Sequence, residues 1–224
     1  MDKTFDNARK RVLLALAIGA CLCLAGVFGT LAYLQTSTDT ISNVMTAGHV
    51  DSDDVTIDEA SVDEYGVKLT GASARRTASG NAYTLLPGHT YVKDPTIHIA
   101  AGTEPCYLYV CVDNQLASAE ATGTGSIASQ LTSNGWTAMT AAEKGNCSQS
   151  GTVYYHSVAN ADQAAHDVVA FESFTLKTGL TNADLAAFDT ANSGNKAHID
   201  VKAYAVQADG FASALAAWSA TFGA

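Results

Sequence analysis

The side chains that could carry chemistry in this chain are histidines, cysteines, serines and a run of acidic residues, and none stands in a complete catalytic motif. The sequence has no His-Glu-x-x-His segment of a zinc protease and no Gly-x-Ser-x-Gly turn of a hydrolase. The pair Gly123 and Gly125 is not followed by the Lys-Ser/Thr of a phosphate-binding loop. We therefore expect no catalytic residue, no cofactor and no metal centre, and a protein that binds or builds.

The histidines are scattered along the chain. His98 and His198 fall on the polar sides of alternating segments, which predicts ordinary solvent-facing strand positions. His49 and Asp51 lie close enough in sequence to share a cation, but two ligands make no site. The six histidines are His49, His89, His98, His156, His166 and His198.

An acidic run extends from Asp51 to Glu64 and has two interpretations. Several carboxylates can hold a hard cation such as Ca²⁺, but the run lacks the Asp-x-Asp-x-Asp-Gly order of a calcium loop. We favour a solvated charged surface that keeps an Ala-rich protein soluble. The run consists of Asp51, Asp53, Asp54, Asp58, Glu59, Asp63 and Glu64.

The N-terminus predicts export. Four basic residues precede an uncharged apolar run, Val12 to Leu34, in the order of a signal peptide. The small residues Thr30 and Ala32 favour cleavage between Ala32 and Tyr33, which is our first choice. Two alternatives stay open: the run is long enough to remain as a membrane helix, and residues 18–21 form a lipobox-like segment that would anchor the chain by lipid at its cysteine.

Cleavage would leave residues 33–224 as one acidic domain. These 192 residues can bury a sizeable core, and they carry 8 basic and 20 acidic side chains, a net charge of −12. That charge argues against nucleic acid and anionic surfaces as partners, so a membrane is met only through the N-terminal segment before cleavage. We expect a signal peptide over 1–32, an N-terminal segment over 33–48 and a β-sandwich over 49–224.

Three cysteines remain after cleavage: Cys106, Cys111 and Cys147. An odd number outside the cell predicts one disulfide with a free thiol, or an intermolecular bond. Cys106 and Cys111 are five positions apart, so an extended strand places them on opposite faces. Cys147 could therefore pair with either of them.

Short alternating segments separated by Gly, Ser and Thr predict an antiparallel β protein. The segment 106–112 is the strongest, since aromatic and β-branched residues fill it and its length suits a strand buried on both faces. Pro87-Gly88 predicts a turn, after which Lys93 and Asp94 should face outward before Pro95. Further strands are predicted at 55–57, 65–69, 91–100, 152–158, 168–176 and 198–207.

Two segments predict helices. Residues 181–188 follow a cap-like Thr or Asn, and Phe211, Leu215, Trp218 and Phe222 are spaced as one apolar helix face that packs on a sheet. Residues 119–131 are either a short helix or a loop. The fold class is therefore mainly β, a single β-sandwich with short helical insertions and a C-terminal amphipathic helix, preceded by a signal helix.

Three segments in this order resemble one family of exported proteins. Together they look like the TasA/camelysin family of Gram-positive bacteria, whose signal peptides are cut by the dedicated peptidase SipW. The resemblance covers nearly the whole chain. The matching segments are 29–33 with 44–51, then 86–95 leading into 102–110, then 203–211 with Trp218.

The resemblance implies a jelly-roll-like β-sandwich and a subunit of a biofilm-matrix fibre, in which each subunit donates an N-terminal strand to the next. The corresponding donor here is residues 33–48, with Leu34, Ile41, Val44 and Met45 as its apolar side chains. Such a segment could add to an open sheet edge. Camelysin-type members are labelled metalloproteases, but this chain has no zinc motif to which that activity could be assigned.

The first functional hypothesis is thus a non-enzymatic structural protein, secreted to the cell surface or biofilm matrix. Its partners would be copies of itself, a signal peptidase during export, and other matrix or cell-surface proteins. The alternative is a surface adhesin or binding module anchored by an uncleaved N-terminal helix. A secreted metalloprotease of camelysin type is the third hypothesis.

Overall fold

The computed structural model describes residues 54–145, 150–158, 164–190 and 196–223. All of them belong to a compact unit that spans residues 35–224. The predicted signal peptide, its cleavage between Ala32 and Tyr33, and the predicted donor segment 33–48 lie outside the described residues. His49, Asp51, Asp53 and Cys147 also lie outside them.

The described part of the chain is mainly β with antiparallel sheets and few helices, as predicted. Several strands coincide closely with the alternating segments of the sequence. The strands are β1 (Val55–Ala60), β2 (Arg76–Thr77), β3 (Thr90–Val92), β4 (Thr96–Ile99), β5 (Cys106–Asn114), β6 (Thr137–Ala138), β7 (Thr152–Val158), β8 (His166–Val169), β9 (Ser173–Thr175) and β10 (Ile199–Gln207).

The strands form two four-stranded sheets and one pair. The first sheet has the order β2-β1-β4-β8, the second has the order β10-β5-β7-β6, and β3 pairs with β9. Every pairing is antiparallel. Residues of all three groups, among them Ile57, Val110 and Phe174, belong to one hydrophobic core, so the sheets stabilise each other by burying shared apolar surface.

The central strand β5 is buried on both faces, which confirms the prediction for segment 106–112. Leu108 and Val110 point into the main core, whereas Tyr109 and Cys111 belong to a second cluster. The alternation follows from the two-residue period of a strand. Its partner β10 pairs with it over all nine residues of each strand, in register from Ile199 opposite Asn114 to Gln207 opposite Cys106.

The described helices are short. The Thr181 side chain accepts a hydrogen bond from the Asp184 backbone at 3.2 Å, and the Asp184 carboxylate accepts one from the Thr181 backbone at 2.7 Å. This capping box confirms the helix start predicted at Thr181. In order, the helices are α1 (Ile127–Ser133), α2 (Ala141–Lys144), α3 (Asn182–Phe188) and α4 (Ala214–Phe222).

Helix α4 packs on the outer face of the second sheet, as its apolar spacing predicts. Trp218 is fully buried, with its ring centroid 5.0 Å from that of Tyr109 and 4.2 Å from that of Phe222. Phe211 and Leu215 pack against the same cluster. None of the helices in the described residues is long and apolar enough to cross a membrane.

The strand predicted at 65–69 is wrong. The Asp63 carboxylate accepts hydrogen bonds from the backbone of Tyr65 and of Val67, which bends the chain into a turn closed by a single bridge between Val62 and Lys68. Gly66 has a φ of +74°, and a Cβ there would lie 2.8 Å from Tyr91 atoms. Only glycine fits this approach of the turn to β3.

The strand predicted over 91–100 is two strands in different sheets, β3 and β4. Between them, Lys93 and Asp94 are buried, with exposed fractions of 8% and 7%, so the prediction that they face outward is wrong. Each charged group finds an ionic partner inside, which is the condition for burying it. The strand predicted over 168–176 divides in the same way, into β8 and β9.

Candidate functional site

A cavity of about 770 Å³ forms a groove beside the first and second sheets. Its walls come from β1, from β10, from α3 and from segment 77–85, which begins at the last residue of β2. We call it the edge groove. Its apolar lining consists of Ile57, Tyr83, Leu85, Leu116, Phe174, Leu185, Phe188, Ile199 and Val201.

Two strand edges border the edge groove. Strand β1 pairs with β4 through Val55–Asp58, but it meets β2 only at Glu59 and Ala60. Strand β10 pairs with β5 alone among the described strands, and Ile199–Val201 line the groove. Strand edges of this kind can accept the main chain of a further strand.

A buried polar cluster lies at the groove, and we call it the Lys93–Glu59–Asn81 cluster. Lys93 Nζ lies 2.8 Å from Glu59 Oε2, and their side chains are 10% and 6% exposed. Asn81 donates from Nδ2 to Glu59 Oε1 at 2.8 Å. All three residues line the cavity. Removing one partner of such a buried ion pair costs about 3–5 kcal/mol, because the other charge is left uncompensated.

A second ionic cluster forms around Asp94. Its carboxylate accepts hydrogen bonds from the Ala60 backbone at 2.6 Å, from Lys68 Nζ at 2.9 Å and from Arg76 Nη1 at 3.3 Å. Burial alone would raise the pKa of Asp94, but these donors outweigh it and hold the pKa below its ordinary value. Asp94 thus ties the turn at 61–69 and β2 to the end of β1, next to the segment that forms the groove wall.

His98 bridges three strands of the first sheet. Its Nε2 lies 2.8 Å from Asp58 on β1, and its Nδ1 lies 2.7 Å from Asp167 on β8. Burial alone would lower the pKa of His98, but the two carboxylates outweigh it and raise the pKa. Asp58 also pairs with Arg76. His98 is therefore a cross-strand contact and not the plain solvent-facing residue that the alternation predicts.

The acidic run is not a solvated surface over its whole length, so the interpretation that we favoured is wrong for part of it. Glu59 is only 4% exposed and pairs with Lys93, and Asp58 binds Arg76 and His98. Asp63 shapes the turn at 61–69. Within the described residues, no three of the His, Cys, Asp and Glu side chains converge in a way that could hold a metal ion.

The cysteines of β5 lie on opposite faces, as the spacing predicts. Cys106 is buried in the main core, where burial raises the pKa of its thiol to about 12. Cys111 lies in the second cluster, and its Sγ donates to the carbonyl of Ser150. The two therefore do not bridge each other. A disulfide with Cys147 stays a prediction.

His198 lies at the rim of the edge groove. Its Nε2 is 3.3 Å from Asp200 Oδ2 and 3.9 Å from Asp113 Oδ2. The acidic pair leaves that end of the groove polar, whereas the wall formed by α3 is apolar. The groove can therefore take a ligand with an apolar face and hydrogen-bonding groups along its length, which describes an extended peptide.

No local pattern in the sequence predicts the edge groove, because the cavity lies between segments distant in the chain. Comparison of the chain with known protein families, with characterised proteins and with solved structures gives no match. A functional assignment therefore depends on the geometry described above and on the resemblance of the sequence segments.

Proposed function

We propose that this protein is an exported structural protein of the TasA/camelysin type. It is a subunit of an extracellular biofilm-matrix fibre and has no enzymatic role. In this proposal the sheets form a jelly-roll-like β-sandwich, and the edge groove of one copy takes residues 33–48 of the next copy. The observation that carries the proposal is a groove that combines an apolar lining with the edge of β10, which pairs with β5 alone among the described strands.

A donated strand would supply the two things that such a groove can use. Its main chain would pair along the edge of β10, and its apolar side chains would cover the apolar wall. Full burial of four side chains, Leu34, Ile41, Val44 and Met45, contributes roughly 6–12 kcal/mol at about 1.5–3 kcal/mol each. Because association costs about 4–15 kcal/mol, main-chain pairing must add to this gain, and assembly should depend on protein concentration.

The position of the donor in the sequence would couple assembly to export. Residues 33–48 begin inside the apolar run, at Tyr33 and Leu34, so before cleavage after Ala32 they would continue from a membrane-embedded segment. Cleavage would free Tyr33 as a new N-terminus outside the cell. Fibre growth would then begin only after translocation, which keeps polymers out of the cytoplasm.

A deletion tests the proposal directly. The mature protein (33–224) should form concentration-dependent polymers in sedimentation velocity and fibres in electron microscopy, whereas protein that begins at Gly48 should remain a soluble monomer. Added synthetic peptide 33–48 should bind the truncated protein and block its incorporation into fibres. Equal sedimentation of the two forms at all concentrations would refute strand donation.

Substitutions that keep the length of the segment provide the matched control. Serine at the four apolar donor positions should abolish polymers, because the groove wall would lose its apolar partners. Serine at three neighbouring threonines should leave polymers unchanged, since those side chains are already polar. The donor positions are Leu34, Ile41, Val44 and Met45, and the control positions are Thr36, Thr38 and Thr40.

The N-terminus of the exported product separates the alternatives. A product that begins at Tyr33 supports fibre assembly. A membrane-bound product that retains residues 12–34 would instead indicate an anchored adhesin, and a product that begins with a lipidated Cys21 would indicate a lipoprotein.

A further inference from the structure

We propose that Lys93 and Asn81 join covalently in an intramolecular isopeptide bond, with Glu59 as the proton-transferring group. This modification lies at the edge groove but does not depend on fibre formation. It assigns a chemical role to the Lys93–Glu59–Asn81 cluster, whose members the sequence analysis interpreted as surface residues or did not single out.

One carboxylate holds both reacting side chains. Lys93 Nζ lies 2.8 Å from one oxygen of Glu59, and Asn81 Nδ2 lies 2.8 Å from the other. The amine and the amide are therefore separated by no more than a single carboxylate group and its hydrogen bonds. Holding the amine and the amide this close can lower the activation barrier of their reaction considerably, although the amide is unactivated.

Two backbone groups set the orientation of the Asn81 amide. Its Nδ2 donates to the carbonyl of Ala60 at 2.9 Å, and its Oδ1 accepts from the N–H of Val62 at 3.1 Å. The leaving nitrogen thus faces Glu59. The oxygen faces a backbone donor that can stabilise negative charge as it develops there.

The surroundings of the cluster are largely shielded from water. The side chains of Lys93 and Glu59 are 10% and 6% exposed. Tyr83 covers this region, with its hydroxyl donating to the Val92 carbonyl at 3.0 Å and its ring 5.4 Å from that of Phe174. Burial, followed by the charge of Glu59, raises the pKa of Tyr83, so its hydroxyl stays protonated.

The reaction balances without an external reagent. A proton passes from Lys93 Nζ to Glu59, and the neutral amine attacks Asn81 Cγ while the carbonyl electrons move to Oδ1. Glu59 then gives a proton to Nδ2 and takes one from Nζ. The C=O bond re-forms, the Cγ–Nδ2 bond breaks, and ammonia leaves. The products are an Nζ–Cγ amide, ammonia and a neutral Glu59, so a buried ion pair is replaced by uncharged groups.

The bond would close a loop over residues 81–93. This loop carries Tyr83 and Leu85 of the groove wall. Cross-linking would tie that wall covalently to the end of β3, which a reversible ion pair cannot do under load. A fibre subunit that must keep its groove in shape outside the cell would benefit from such a bond.

A tryptic digest of the denatured full protein tests the proposal. No Lys or Arg lies between Arg76 and Lys93, or between Lys93 and Lys144. An unmodified chain therefore yields peptide 77–93. The isopeptide bond blocks cleavage after Lys93, so the expected product is peptide 77–144, lighter by one ammonia. A second protease that cuts within 82–92 should convert it into a branched peptide.

Variants separate this chemistry from other losses of ammonia. Glu59→Gln and Lys93→Arg should both abolish the ammonia loss, and Glu59→Gln should restore peptide 77–93. Lys68→Arg, which changes a neighbouring cation outside the cluster, should leave the bond intact. If a variant does not fold, the digest of the protein without substitutions is sufficient to test the proposal. Recovery of linear 77–93 from that protein overturns the proposal, and so does ammonia loss with Lys93 still cleaved, because that pattern indicates succinimide formation at Asn81.

Discussion

Replacing Asp94 with Asn should destabilise the protein measurably, because the substitution keeps the shape of the side chain and removes its charge. The carboxylate is buried and accepts hydrogen bonds from Ala60, Lys68 and Arg76. A hydrogen bond to a charged group contributes about 1.5–3 kcal/mol when buried. The cations are more accessible, since Lys68 is 56% exposed and Arg76 is 35% exposed.

The expected loss follows from that difference in exposure. Lys68 and Arg76 can regain water when the charge is removed, so their share is discounted to surface values, below about 1 kcal/mol each. The Ala60 bond lies deeper, and the amide replaces it only in part. We expect a loss of about 2–3 kcal/mol in the free energy of unfolding, measured by denaturant titration. In a domain of this size that lowers Tm by roughly 4–12 °C.

Acid should abolish the difference in stability between Asp94→Asn and the parent protein. The folded-state pKa of Asp94 lies below its ordinary value of 3.8. Its contribution is therefore fully present above that value and is lost as the pH falls through the folded-state pKa. Asp94→Asn should consequently match the parent protein at the acid end of the titration.

A matched control makes the test decisive. Asp189 is 68% exposed and lies 3.9 Å from Lys196, so Asp189→Asn should change the stability by less than about 1 kcal/mol. The reasoning fails if Asp94→Asn costs no more than Asp189→Asn at neutral pH. It also fails if the cost persists unchanged in acid.

Two further predictions concern His98 and the groove wall. The folded-state pKa of His98 is raised above 6.5, so its contribution to stability is present below 6.5 and is lost as the pH rises through the folded-state pKa. His98→Gln should therefore flatten this part of the stability–pH curve. An unchanged curve would contradict the role of the two carboxylates. Leu185→Glu should prevent polymer formation, since Leu185 lines the edge groove; because Leu185 is also half-buried against the main core, sedimentation is measured well below the Tm of the variant. The control is Ala187→Glu on the same helix, at an exposed position outside the groove lining, and this variant should polymerise normally. Equal behaviour of the two variants in sedimentation would exclude the edge groove as the site of assembly.

Local sequence patterns predicted the strands and the helix whose buried side chains recur at a regular spacing. Aromatic and β-branched residues in segment 106–112 predicted β5, and the strand-like segment 152–158 predicted β7. The spacing of apolar residues in 211–222 predicted the packed face of α4. The opposite placement of Cys106 and Cys111 also follows from the strand period alone.

Tertiary contacts explain the errors. Segment 65–69 alternates like a strand, but Asp63 turns the chain there and the close contact with Tyr91 holds the turn in place. Lys93 and Asp94 carry the charge of surface residues. Their partners Glu59, Lys68 and Arg76 come from other parts of the chain, so no local pattern predicts these ion pairs.

The amino-acid sequence by itself determined that the chain is acidic, carries an uncharged apolar run near its N-terminus and, in the described residues, forms more strand than helix. Those properties follow from composition and from short periods, which each segment carries alone. Only the tertiary structure decided that β1 and β10 border one groove and that Glu59 lies between Lys93 and Asn81. Both depend on strand pairing between distant segments, whose register is set by the burial of a shared core.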